Sequence, residues 1–220
     1  MSQPLPGTTA ILAHDISNLC NLDESYIRAK LSQAPAKDSP ETRVALIPDA
    51  HTIQWHHARE EFAADELFDR HPEVKGAMAD SRTPGGRVWC IWTRTYGTDT
   101  AGNTLNILRL VIEGEDDIIR QAAEPEEEDD EGLDALAQKK MRATMLVLQA
   151  AQHEAAKWGM RDVQVWNPTQ CCVAAAMEIR PNIKVVEREE ESIASLRWHG
   201  LDLGEEGEVE WIGNEKYGWC

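Results

Sequence analysis

Two strand-like runs, a long helical run and a further strand-like run follow one another in the middle of this chain. The first two are Arg87–Tyr96 (RVWCIWTRTY) and Asn103–Glu113 (NTLNILRLVIE), and the GTDTAG connection between them predicts a β-hairpin. A helical pattern then runs from about Leu133 to Trp158, and a strand is predicted over Asp162–Asn167. Strand, helix and strand in this order predict a parallel crossover, which should be right-handed. A β-β-α-β unit of this kind predicts an α+β chain with a mixed sheet.

The first hairpin strand carries apolar side chains on both of its faces. Val88, Cys90 and Trp92 fall on one face, and Trp89, Ile91 and Thr93 fall on the other. A strand that is apolar on both faces is typical of a central strand covered on both sides. The helix that follows has one apolar stripe, which predicts that it packs on this sheet. The stripe consists of Met141, Met145, Leu148, Ala151, Ala155 and Trp158.

The flanking parts of the chain predict shorter elements. A short helix is predicted within Thr8–Leu31, with Asp23 as its N-cap, and Val44–Ile47 fits an edge strand. Residues 32–43 are polar and contain prolines, which predicts a linker. The remaining predicted elements are helices over about 52–69 and Thr169–Ile179, and strands over Val74–Met78, Ile183–Glu187, Ser192–His199 and Glu208–Ile212.

The predicted helix over 52–69 has an apolar stripe at helical spacing, formed by Trp55, Ala58 and Phe62. It also carries two histidine–glutamate pairs at the spacing H-x-x-x-E, His56 with Glu60 and His57 with Glu61. Such a pair places two metal ligands on one helix face. The alternative is an ordinary amphipathic helix with these polar side chains exposed. Because no third ligand is evident, we predict no metal site.

The composition limits the classes of function. The formal net charge of −17 disfavours nucleic-acid binding, which needs a basic surface. An acidic surface favours cationic substrates or basic peptides, or simply keeps the protein in solution. The five cysteines form no CxxC pair, which indicates reduced thiols. No secretory leader or membrane-spanning run is visible, and we predict a cytoplasmic protein.

Two neighbouring cysteines begin the predicted helix over Thr169–Ile179. Cys171 and Cys172 lie in its first turn, where a helix N-terminus can lower the pKa of a thiol. A reactive thiol is one interpretation. Two small side chains packed against the sheet is the other.

Several separate runs resemble one known domain family. They are QWHHAREEF, RVWCIWTRTY, NTLNILRLVIE, AAQHEAAKWGMRDVQVWNPT, VVEREEESIASLRW and EWIGNEKYGWC. Together they resemble the C-terminal domain of fungal lysine acetyltransferases, enzymes of lysine catabolism, and the order of elements is that of the GNAT acyltransferase fold. The resemblance implies a mixed sheet flanked by helices and closed by a terminal hairpin. We therefore predict an N-terminal segment and linker over 1–43 and a GNAT-like domain over 44–220.

The resemblance implies acetyl-CoA as cofactor and acetyl transfer to the side-chain amine of lysine. In GNAT enzymes a [RQ]-x-x-G-x-[GA] loop at the start of the central helix holds the pyrophosphate on backbone N–H groups. Its nearest match here begins at Gln138 and ends at Ala143, so that Lys139 and Arg142 are further candidate contacts. Met141 stands where the motif has glycine. An acidic insertion over about 113–132 precedes this segment and would repel the phosphates.

The catalytic residues are not identified by the sequence. Tyr217 and Glu113 are possible acid–base groups, but a packed tyrosine and a solvated strand end explain them equally well. In the family that the chain resembles, an N-terminal half carries the cofactor motif, and we expect this chain to correspond to the C-terminal half alone. Two functions follow: an acetyltransferase domain not fully active alone, or a non-catalytic GNAT-like scaffold, substrate-recognition or dimerisation domain. The predicted partner is an N-terminal GNAT domain, docked on an apolar surface near Leu5–Leu22, or a second copy.

Overall fold

A five-stranded mixed sheet forms the centre of the protein in the computed structural model, which describes residues 4–33, 42–79, 86–97, 102–115, 130–187 and 209–219. The side chains of residues 130–134 lie outside this description. The elements in chain order are β1 (Thr8–Leu12), α1 (Ile16–Ser32), β2 (Thr42–Ala45), α2 (Ala50–Phe68), β3 (Val74–Ala79), β4 (Val88–Thr95), β5 (Thr104–Ile112), α3 (Asp130–Lys157), β6 (Asp162–Val165), α4 (Gln170–Ile179) and β7 (Val209–Gly213).

The strand order is β1-β3-β4-β5-β6, with β5 and β6 parallel and the other neighbours antiparallel. The predicted hairpin is therefore β4–β5, and the predicted crossover runs from β5 through α3 to β6. A β-bulge lies between β4 and β5: Ile91 pairs with Arg109 and Trp92 with Ile107, which leaves Leu108 as an extra residue. The mixed architecture predicted from the sequence is confirmed.

The sheet is covered on both faces, as the alternation along β4 predicts. On one face Val88, Cys90 and Trp92 pack with α3 and α4. On the other face Trp89 and Ile91 pack with α1 and α2. The apolar stripe of α3 is also confirmed, because it joins the first of these cores, through Met141, Met145, Leu148, Ala151, Ala155 and Trp158.

Helix boundaries follow local capping chemistry. Asp49 caps α2 by accepting a hydrogen bond from the Thr52 N–H at 2.7 Å, and Thr169 caps α4 through the Cys172 N–H at 3.3 Å. The predicted cap at Asp23 is wrong, because α1 begins at Ile16 and Asp23 lies buried in its middle. The sequence pattern missed the buried ion pair that Asp23 forms.

The C-terminal part of the chain differs from the prediction. Residues 183–187 form no strand, and Val185 and Val186 are exposed. The segment Ser192–His199 and most of the acidic insertion lie outside the described residues. The last strand, β7, pairs in parallel with β2, forming a separate two-stranded sheet. The predicted terminal hairpin would pair β7 with Ser192–His199, and that segment is not described.

Residues assigned to the N-terminal segment belong to the central sheet. Strand β1 pairs with β3, and Ile16 and Leu19 of α1 are buried in the core. The boundary at residue 43 stays a prediction. The expected apolar docking surface near Leu5–Leu22 is wrong: Ile11 is also buried, and Leu12, 36% exposed, is the large apolar side chain that is exposed there. Among the described residues, no helix is long and apolar enough to cross a membrane.

Helix α2 buries the face opposite to the one that its hydrophobic pattern predicts to be buried. The predicted apolar stripe faces solvent, with Trp55 49% and Phe62 71% exposed. The polar side chains His56, His57 and Glu60 are buried instead. The expectation that these polar groups are exposed is wrong, because each finds a specific buried partner that an apolar side chain could not satisfy.

Candidate functional site

A polar pocket of about 310 Å³ opens on the α2 face of the sheet. The end of β4, the beginning of β5, the end of β6, α2 and the C-terminal turn contribute to its wall. Its polar and aromatic lining includes Arg59, Thr104, Asn106, Gln164, Trp166 and Lys216. This volume lies at the lower end of the range for small-molecule sites.

The pocket concentrates positive charge within an acidic chain. The Lys216 ammonium lies 4.4 Å from the centroid of the Trp166 ring, a cation–π contact that fixes both groups at the wall. The Arg59 guanidinium borders the pocket from α2. Asn106 Nδ2 donates to Thr95 Oγ1 at 3.1 Å, which orients its amide. The arrangement can bind a small polar molecule that carries a carboxylate or another anionic group.

Two buried histidines lie side by side on α2, and His56 is part of the pocket wall. His56 Nε2 lies 3.0 Å from the carbonyl oxygen of Tyr217, and His57 Nε2 lies 3.1 Å from that of Trp92. Burial lowers the pKa of both, and it lowers the pKa of His57 to about 3, with Lys75 adding to the effect. Both rings are therefore neutral at pH 7 and donate to backbone carbonyls, so that they tie α2 to the sheet.

A buried network of charges joins α2 to the strands. Glu60, fully buried, pairs with Lys75 on β3 at 3.1 Å and with the Arg94 guanidinium on β4. Its carboxylate also accepts a hydrogen bond from the Arg94 N–H at 3.0 Å. Arg94 pairs in addition with Glu154 on α3. The network links elements from both faces of the sheet.

A second buried network surrounds Arg109 at the bulge. Its guanidinium binds Asp23 of α1 in a bidentate arrangement, at 2.7 and 2.8 Å, and it also contacts Glu215. Glu215 accepts a hydrogen bond from the Leu110 N–H at 3.0 Å. Burial raises the pKa of Glu215, and Arg109 opposes that rise. The pairing of β5 with β6 covers Thr104–Ile107, so the Glu215 carboxylate bonds to β5 beyond the end of β6.

The predicted cofactor residues lie inside α3. Gln138 is eight residues after the helix start at Asp130, and Lys139 and Arg142 are exposed on the helix surface. Ala143 and Met141 are partly buried against the core. Backbone N–H groups in a helix interior bond to carbonyls four residues earlier. These residues therefore do not form the loop with free N–H groups that the motif requires.

The two possible acid–base groups have other partners. The Tyr217 hydroxyl donates to the Leu46 carbonyl, and burial raises the pKa of Tyr217. Glu113 is buried and pairs with Arg87 at 2.8 Å. Neither side chain lines the pocket.

The adjacent cysteines are packed thiols in the structure. Cys172 is buried, and burial raises its pKa to about 12. Burial also raises the pKa of Cys171, although Thr144 partly offsets this by hydrogen bonding. Both shifts favour the protonated thiol, so the packing interpretation agrees with the geometry. Among the described residues, no group of three or more His, Cys, Asp or Glu side chains is arranged to hold a metal ion.

Comparison with known proteins now identifies the family. The family profile described as the LYC1 GNAT-like C-terminal domain matches residues 1–220. The chain belongs to this family. No curated protein matches it. A solved structure of an integron cassette protein, from the mobile metagenome of Cole Harbour Salt Marsh, is similar at 13% sequence identity. The match covers 92% of this chain and 93% of that chain. Its TM-score is 0.36, which is too low to support a structural conclusion.

Membership in the GNAT-like family confirms the resemblance drawn from the sequence and its fold class. Sequence reasoning did not find the pocket of this GNAT-like domain. Arg59 and Gln164 reach it from a helix and a strand more than 100 positions apart, and neither belongs to a motif. The H-x-x-x-E pattern of α2 was the available signal, because it marks the buried polar face next to the pocket.

Proposed function

We propose that this chain is a non-catalytic GNAT-like domain that supports an acetyl-CoA-dependent lysine acetyltransferase. Its role is to form a scaffold and to help recognise a small polar substrate, while an N-terminal GNAT domain performs the acetyl transfer. The continuity of helix α3 is the main support for this proposal. Because the helix is unbroken from Asp130 to Lys157, the N–H groups of residues 138–143 are bonded within it. They do not fit a coenzyme pyrophosphate held by backbone amides.

The polar pocket supports the recognition role. Arg59 and Lys216 supply positive charge for a carboxylate, and Asn106 and Gln164 supply amide groups that can fix its orientation. A free amino acid such as lysine carries such a carboxylate. Among the residues that the structure describes, no general base lies beside a loop of free backbone N–H groups that could hold the cofactor.

Calorimetric titration of the isolated chain with acetyl-CoA tests the proposal. We expect no saturable heat, and no acetylation of free lysine in a parallel assay, because the N–H groups of residues 138–143 are bonded within α3. Saturable binding at a stoichiometry near one would overturn the non-catalytic assignment.

Replacing Met141 distinguishes two explanations. Either the Met141 side chain obstructs a pyrophosphate-binding loop, or the segment forms no such loop. We expect Met141→Gly to gain no affinity for acetyl-CoA and to lose about 1 kcal/mol of stability relative to Met141→Ala, because glycine is unfavourable inside a helix. Met141→Ala is the matched control, since it removes the thioether and keeps helix propensity. A glycine variant that binds acetyl-CoA while the alanine variant does not would argue for a loop.

A second candidate function is acetyl-CoA binding through side chains. We propose that Lys139 and Arg142, exposed on α3 beside Gln138 and Ala143, are the residues that would contact the phosphates. If wild-type binding is observed, the double variant Lys139→Ala/Arg142→Ala should weaken it about tenfold or more, because phosphate contacts are charge-assisted. Lys157→Ala, on the same helix, is the control. Equal binding by all three proteins would exclude this site.

A further inference from the structure

An apolar stripe runs along the solvent side of α2. We call Trp55, Ala58 and Phe62 the outer stripe; all three are exposed, opposite the buried face formed by Ile53, His57, Glu60 and Ala64. Residues three and seven positions apart lie on one side of a helix. Two large aromatic side chains in the middle of a solvent-facing helix are unusual, and contiguous exposed apolar surface indicates an interaction site.

The stripe has a self-complementary shape. Trp55 and Phe62 are seven residues apart, about 10 Å along the helix axis, with the small Ala58 near the midpoint. When two such helices cross antiparallel, the Trp55 ring of each copy meets the Phe62 ring of the other. Ala58 lies at the crossing point, where a small side chain allows close approach.

The distribution of charge along α2 also favours the antiparallel sense. Asp65, Glu66 and Asp69 are exposed near the C-terminal end, whereas residues 50–59 contain no Asp or Glu. A parallel pair would place acidic groups opposite acidic groups. An antiparallel pair places them opposite the N-terminal half, and the helix dipoles are then opposed as well.

We propose that the outer stripe is a two-fold symmetric interface between two copies of this chain. Closed two-fold dimers are the commonest oligomers, and each surface patch in them pairs with itself. The net charge of −17 on each copy resists association, so the apolar contact drives it. Added salt should therefore strengthen the dimer by screening this repulsion.

Disulfide trapping tests the geometry. We expect Ala58→Cys to form a disulfide-linked dimer under mild oxidation, because the two-fold axis brings the copies of residue 58 together. The wild type controls for the native cysteines, and Asn18→Cys, exposed on α1, controls for random collision. Cross-linking of Ala58→Cys at the rate of Asn18→Cys would overturn the proposed axis.

Sedimentation of the full chain tests the interface without a cross-link. The wild type should show a concentration-dependent dimer, and Phe62→Glu should weaken it about tenfold or more, because it buries an unpaired carboxylate against the Trp55 ring of the other copy. Leu67→Glu is the matched control: Leu67 is also exposed on α2, at 58%, but lies off the stripe. Circular dichroism would verify that both variants are folded.

The result that overturns the proposal is a wild type that stays monomeric across the concentration and salt series. The stripe would then belong to a different protein, such as an N-terminal GNAT domain. An equal loss of dimer in Phe62→Glu and Leu67→Glu would also contradict it. Since neither outcome bears on acetyl-CoA binding, this test is independent of the proposed function.

Discussion

Replacing Glu60 by glutamine is expected to lower the free energy of unfolding by roughly 3 kcal/mol. The Glu60 carboxylate contacts both Lys75 and Arg94, and all three side chains are almost fully buried. Glutamine preserves the shape of the side chain but removes its negative charge. The buried cations Lys75 and Arg94 therefore lose one of the carboxylates that balance their charge. Lys75 keeps Glu61 and Arg94 keeps Glu154, which limits the loss.

Urea unfolding of the wild type and of Glu60→Gln measures this difference. Glu73→Gln makes the same chemical change at an exposed position, and we expect it to alter stability by less than about 0.5 kcal/mol. A loss below about 1 kcal/mol in Glu60→Gln would mean that the network contributes little to the folded state.

Acidification from pH 8 to pH 5 is expected to cost the wild type about 2 kcal/mol of stability through His57 alone. Burial lowers the pKa of His57 to about 3, whereas an unfolded histidine has a pKa of about 6.5. As the pH falls below 6.5, the unfolded chain therefore binds a proton that the folded chain does not. The stability is fully present above pH 6.5 and is lost progressively toward pH 3.

The variant His57→Gln isolates this contribution, because glutamine can donate to the Trp92 carbonyl but does not titrate. We expect the stability difference between pH 8 and pH 5 to be about 2 kcal/mol smaller in this variant than in the wild type. His51→Gln, at an exposed position of the same helix, should keep the wild-type dependence. If His57→Gln keeps it too, the buried ring is protonated in the folded state.

The order and type of most elements follow from the sequence because their side chains pack by simple periodicity. The two faces of β4 and the apolar stripe of α3 are packed in hydrophobic cores, as their patterns predict. Helix α2 shows where periodicity fails. Its orientation depends on bonds to Arg94, Lys75, Trp92 and Tyr217, residues between 15 and 161 positions away, which no local pattern encodes.

The candidate site was harder to predict for a similar reason. The motif match at Gln138 depends on whether the chain forms a loop or a helix, and LDALAQKKMR contains no residue that breaks a helix. The pocket itself is assembled by sheet register and by the C-terminal turn. Its residues carry no shared motif, so sequence reasoning had no means of grouping them.

The carboxylates of Glu60 and Glu215 have a consequence for peptide binding. Each accepts the backbone N–H of a strand residue, Arg94 on β4 or Leu110 on β5, at a point where the neighbouring strand has ended. An incoming extended segment needs those same N–H groups to extend the sheet by β-augmentation. At these two positions the donors are already bound to charged acceptors, which protects the protein from edge-to-edge aggregation there.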